Sequence, residues 1–132
     1  MKLLFHDYGS SDDFPDIPDT TFTEAHVLEN FLTQQSTRSM MGELECENGF
    51  KIDIAIDENL GMVQYFSIEG DPPYFMAVSP TKLVEGSHDF LISGEPSEIQ
   101  GRFCLSLEVF KKVVMDFFQS GSRSDAVQWE ET

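Results

Sequence analysis

Hydrophobic and polar positions change period twice along this chain. Leu28, Phe31 and Leu32 recur at helical spacing behind Thr21-x-x-Glu24, a capping-box signature, and predict a first helix over about 22–35. From Gly42 the period falls to two. Gly42–Glu47 and Phe50–Asp57 flank Asn48-Gly49, a strong hairpin signal. In the second arm Phe50, Ile52, Ile54 and Ile56 alternate with Lys51, Asp53, Ala55 and Asp57, which predicts one core face and one mostly acidic solvent face. Glu58-Asn59-Leu60-Gly61 turns the chain into a strand over 61–68, and another follows over 74–79. A weaker strand, 89–92, lies in a stretch punctuated by Gly86, Gly94, Pro96 and Gly101. The helical period then returns. Ser106 is placed to cap a helix over 106–120, Leu107, Phe110, Val113, Val114, Phe117 and Phe118 form its apolar stripe, and Gly121 stops it. A terminal strand, 126–130, puts Val127 and Trp129 on one face. The pattern predicts a single α+β domain over 1–132, with a mainly antiparallel sheet of about five to six strands and two packing helices. Leu28, Phe31, Leu32, Ile52, Ile54, Ile56, Phe110, Val114, Phe117 and Trp129 are its expected core.

Residues 6–20 show no period. Asp7, Asp12, Asp13, Asp16 and Asp19 sit there among prolines, serines and a glycine, so the segment reads as a flexible acidic arm. That acidity extends to the whole chain, with 24 Asp and Glu against 8 Lys and Arg in 132 residues. It is also polarised: residues 1–100 hold nineteen acidic and four basic side chains, and residues 101–132 hold five and four. Such a field repels nucleic acid and anionic membrane and draws in a basic protein surface. No stretch approaches the roughly 20 apolar residues of a membrane span. Met1-Lys2-Leu3-Leu4-Phe5 runs at once into His6-Asp7, too polar for a signal peptide, so a cytoplasmic location is expected. Cys46 and Cys104 fit two buried free thiols of a reducing compartment better than the one disulfide they could form.

The motifs of catalysis are missing from the sequence. It has no phosphate loop, no G-x-S-x-G, no H-E-x-x-H, no C-x-x-C, and no H-x-E with P-C-x-x-C. His26 and Glu29 stand one helical turn apart without a further clustered ligand, which reads as a surface pair. His88-Asp89 reads as a turn. Carboxylate pairs such as Asp12-Asp13, Asp57-Glu58 and Glu130-Glu131 follow from the composition and identify no apolar pocket for acid catalysis. The expectation is a protein that is not an enzyme and uses no metal or cofactor. Gly70-Asp71-Pro72-Pro73-Tyr74 is the most irregular segment. Its prolines remove two ladder donors and stiffen the loop, which would hold Asp71 and Tyr74 in a fixed pose suited to recognition or to a structural corner.

Taken together, these pieces resemble the deaminase-associated immunity proteins of bacterial polymorphic toxin systems. The resemblance rests on Gly70-Asp71-Pro72-Pro73-Tyr74 after a strand and on Leu105-Ser106-Leu107-Glu108 opening a helix. That helix ends Asp116-Phe117-Phe118-Gln119-Ser120-Gly121, and Val127-Gln128-Trp129 closes the chain. It covers about residues 50–131, and the order of the pieces carries it. The family often has a proline in the turn where this chain has Ser122-Arg123-Ser124-Asp125. The resemblance implies a small α+β inhibitor that binds a cognate toxin, typically a nucleic-acid deaminase, and keeps substrate from it. The charge agrees independently, because a toxin acting on nucleic acid needs a basic surface around its pocket.

The expected partner-binding residues are Asp57, Glu58, Glu69, Asp71 and Tyr74, with the turn at 57–58 and the loop at 69–74 framing the two ends of one strand. Arg102, Lys111, Lys112 and Arg123 mark the back of the molecule. The expected free state is a monomer that binds neither nucleic acid nor membrane. An acidic type III secretion chaperone, which would be a stable homodimer, is the alternative. A small enzyme or ligand-binding domain would instead need a deep polar pocket.

Overall fold

Alternation of period two builds most of the computed structural model, which describes residues 2–9, 17–92 and 95–132. The elements in chain order are β1 (Leu3–Asp7), β2 (Thr20–Phe22), α1 (Ala25–Gln35), β3 (Met40–Cys46), β4 (Phe50–Asp57), β5 (Leu60–Ser67), β6 (Phe75–Val78), β7 (Ser87–Ile92), β8 (Glu95–Gln100), β9 (Leu105–Ser106), α2 (Leu107–Ser120) and β10 (Gln128–Glu131). The main sheet has eight strands in the order β10-β6-β5-β4-β3-β1-β2, with β9 also on β5. Strands β7 and β8 form a separate two-stranded sheet. All the pairings are antiparallel. The α+β class and the two helices are as the pattern predicts, and the sheet is wider.

The extra width comes from the N-terminus. Leu3 and Phe5 alternate with Leu4 and His6, so the segment pairs with β3 from Leu3↔Cys46 to Asp7↔Gly42. Its other edge takes β2 through Leu3↔Phe22 and Phe5↔Thr20. The acidic arm therefore does not extend over all of 6–20. His6 and Asp7 are in β1, Thr20 begins β2, and residues 10–16 lie outside the described residues. Pairing of β2 also moves the start of the first helix from 22 to Ala25, because Phe22 is extended in the ladder opposite Leu3 and cannot also begin the helix. Glu24 occupies the cap position with extended dihedrals and makes no side-chain cap bond.

Helix α2 matches its expected signals. The Ser106 hydroxyl accepts from Val109 N–H at 3.2 Å, and Gly121 ends the helix at φ 70°, where a glycine avoids the strain a side chain would meet. Both helices lie on one face of the main sheet. There Leu28, Leu32, Ile52, Ile54, Ile56, Phe110, Val114 and Phe117 are buried, with Phe31 and Trp129 half-buried against them. Cys46 and Cys104 are both buried and are not joined in a disulfide.

The opposite face departs from the expected solvent-exposed pattern. Ala55 and Met62 are buried there under Phe90 of β7, Phe103 and Cys104, so half of this face holds a second apolar cluster. Strand β4 is consequently covered on both sides. Asp53 and Asp57, expected in solvent, are 8% and 4% exposed.

Candidate interaction surface

Strand β5 separates the expected partner-binding residues into two groups. Its eight residues put the two turns about 25 Å apart. At one end Glu58 and Asn59 form a two-residue hairpin turn with φ of 48° and 67°. Glu58 is exposed there. Asp57 points inward, where its carboxylate accepts from Ser39 Oγ and lies 2.8 Å from His88 Nε2. A residue so enclosed does not offer its charge to a partner surface. At the other end Glu69 and Asp71 are exposed on the loop between β5 and β6, which contains a cis Pro72-Pro73 bond. Tyr74 is half-buried, with its hydroxyl donating to the Gly70 carbonyl and its ring edge-on to Phe66 at 5.6 Å. It braces the loop.

His88 is not in a turn. It lies in β7, and its bond to Asp57 clasps the β7–β8 hairpin onto the main sheet. Asp57, Glu58 and His88 bring one ligand atom each within 4.8 Å of one another. The direct His88–Asp57 hydrogen bond satisfies two of the three within the protein. The hydroxyl in the group, Ser39, bonds to the carboxylate and not to the imidazole, so the set is not ordered as a nucleophile, base and orienting acid. His26 and Glu29 are both exposed, and the imidazole is 3.5 Å from Glu24 instead.

A second polar group lies in the middle of the same face. Across β1, β3, β4 and β5 the register aligns His6, Glu43, Asp53 and Gln64 in one row. Tyr8 reaches over this row, with its hydroxyl 2.6 Å from Glu43 Oε2 and 2.7 Å from Asp53 Oδ1. Lys51 pairs with Glu43. A phenol carries one hydrogen, so it cannot donate to two carboxylates at once. Burial raises the Asp53 pKa against the opposing effects of Tyr8 and Lys51, and the array is fully satisfied in the state in which Asp53 carries the second hydrogen. Burial also raises Tyr8, reinforced by both acceptors. At Glu43 burial works upward, but hydrogen bonds from Lys51 and Tyr8 outweigh it and the net direction is down.

Beyond this row the face is not covered by the hairpin. Leu4 pairs with Glu45 and Lys51 with Phe66 in one row, and Lys51 lies 4.8 Å from the Phe66 ring centroid. Lys2, Leu4, Glu45, Glu47, Gly49 and Ile68 line a depression of about 330 Å³ here. Leu4 and Ile68 are 39% and 38% exposed. Neither was singled out by the sequence, because Leu4 sits in an unrecognised strand and Ile68 at the end of a recognised one.

The acidic hairpin β7–β8 was also only partly legible. Its outward rows set Asp89 opposite Glu98 and the exposed Leu91 opposite Pro96, while Phe90 is buried beneath. The basic side chains are mostly engaged within the molecule. Lys51, Lys82, Arg102 and Lys112 lie in ion pairs with Glu43, Glu85, Glu130 and Asp116, and Arg123 stacks 4.0 Å from the Phe75 ring centroid. Compared with protein-family models and with curated proteins, the chain matches none. No helix among the described residues is long and apolar enough to cross a membrane.

Proposed function

We propose that this chain is an immunity protein that neutralises a bacterial toxin by occupying the basic surface with which that toxin holds nucleic acid, the toxin being of the deaminase class suggested by the resemblance. The observation that carries this reading is the distribution of charge. Lys51, Lys82, Arg102 and Lys112 are ion-paired, Lys111 is bonded to Thr33 and Arg123 stacks on Phe75, while Glu58, Glu69, Asp71, Asp89, Glu95 and Glu98 face outward. The field presented to a partner is therefore anionic on the sheet side, which suits capture of a cationic protein and exclusion of nucleic acid. The His88–Asp57 clasp and the Tyr8 array hold polar groups in internal hydrogen bonds, in keeping with a binding scaffold.

The test is whether the neighbouring reading frame encodes a toxic domain and what co-expression of the two chains does. Growth should be rescued, and the purified proteins should elute as a one-to-one complex. A chain that fails to rescue, fails to bind and runs as a stable homodimer would sink the proposal and favour the secretion-chaperone class.

A further inference from the structure

We infer that the groove between Leu4 and Ile68, on the uncovered half of the main sheet, is the docking site for a basic segment of the partner, with Glu45 and Glu47 receiving its arginine or lysine. This rests on the toxin-binding reading and adds where the toxin is held. The main sheet carries helices on one face. On the other, the β7–β8 hairpin covers Ala55, Met62 and Met76 but leaves the rows containing Leu4 and Ile68 open. Leu4 of β1 and Ile68, just past the end of β5, thus remain more than a third exposed in one depression of about 330 Å³. Gly49 widens it, since a Cβ there would meet nothing within 4 Å.

The wall of the groove specifies the sign of its occupant. Glu47 is exposed, Glu69 directly follows Ile68, and Lys2 is the cation among the lining residues. Glu45 is half-buried beside Glu43, to which Lys51 is already bonded. Burial, repulsion from Glu43 and a hydrogen bond with Glu43 raise the Glu45 pKa, outweighing the pull of Lys51 and His6, so further positive charge is favoured beside it. An incoming guanidinium or ammonium supplies that charge, and its aliphatic stem lies along Leu4 and Ile68. An apolar centre with a charged rim is also how protein interfaces divide adhesion from selectivity. The hairpin's outer face is equally acidic, and a recess of about 330 Å³ lies beside its Leu91, but Arg38 lines that recess and the Asp57 carboxylate in it is already bonded to Ser39 and His88.

Binding to the adjacent-encoded toxic domain, purified with its catalytic residue replaced, decides the matter. Glu47→Lys and Ile68→Ser should each weaken binding by about tenfold or more, chiefly through faster dissociation, with melting curves close to wild type. Asp89→Lys on the hairpin should stay within about threefold. Wild-type-like affinity for both groove variants, or loss of binding in Asp89→Lys with the groove variants unaffected, overturns the assignment while leaving the immunity reading intact. Failure of the wild-type chain to bind removes both.

Discussion

Tyr8 shows how one side chain's hydrogen count constrains its surroundings. With two carboxylates at 2.6 and 2.7 Å and one phenolic hydrogen, the array closes when Asp53 is protonated. Because the folded pKa of Asp53 is raised, its contribution to stability is full below the unfolded value of 3.8 and is lost as pH rises through the folded one. Asn at this position keeps a donor to Tyr8 at every pH. The stability of Asp53→Asn relative to wild type should therefore rise between pH 4 and pH 8, read as the difference in urea midpoint. A pH-independent difference would remove the shared-proton account. Gly61 is constrained sterically. A Cβ there would stand 2.4 Å from Phe110 ring carbons, so Gly61→Ala should cost about 1–3 kcal/mol. Phe110→Leu should relieve part of that cost, and strict additivity of the two changes in chemical denaturation would argue against the contact.

At the scale of elements, the signals that worked were those whose partners lie close in sequence. Ser106, the stripe from Phe110 to Phe118 and Gly121 define α2 because cap, face and stop are all local. Asn48-Gly49 defines the β3–β4 hairpin for the same reason, with Gly49 at φ 92°. The capping box at Thr21 failed because β1, far away in the chain, offered those residues a ladder. The β7–β8 hairpin was half-read because Pro96 interrupts it in sequence, although Pro96 sits on a short two-stranded sheet where a missing donor is tolerated. Its outward Asp89↔Glu98 pair sets like charges directly opposite each other, an arrangement that destabilises a ribbon. Glu98→Lys should stabilise the protein by about 0.2–1 kcal/mol, measured by denaturant titration at low salt, with the gain shrinking as salt rises. An unchanged or lowered midpoint would mean the two carboxylates do not face each other.

For the whole molecule, a net charge of −16 sets how fast a basic partner arrives more than how long it stays. Association with the toxic domain should slow steeply between about 50 mM and 500 mM salt while dissociation changes little. An association rate indifferent to salt would count against a cationic partner. The α+β class, the helix-facing core and the acidic excess were all legible in the sequence, because periodicity records which side of an element meets its neighbours. Three of the five expected contact residues lie at the loop end of β5: Glu69 and Asp71 exposed, Tyr74 bracing the loop. What alternation could not record is which neighbour covers a face. Asp53 and Asp57 occupy positions whose pattern reads as solvent, yet Tyr8 from before β2 and His88 from β7 enclose them. Leu4 and Ile68 carry no distinguishing local signal and meet in one groove because β1 and β5 are placed either side of the β3–β4 hairpin. Local periodicity fixes the orientation of a side chain relative to its own strand. The tertiary fold alone decides whether that orientation ends in water, in a hydrogen-bonded array or in a groove.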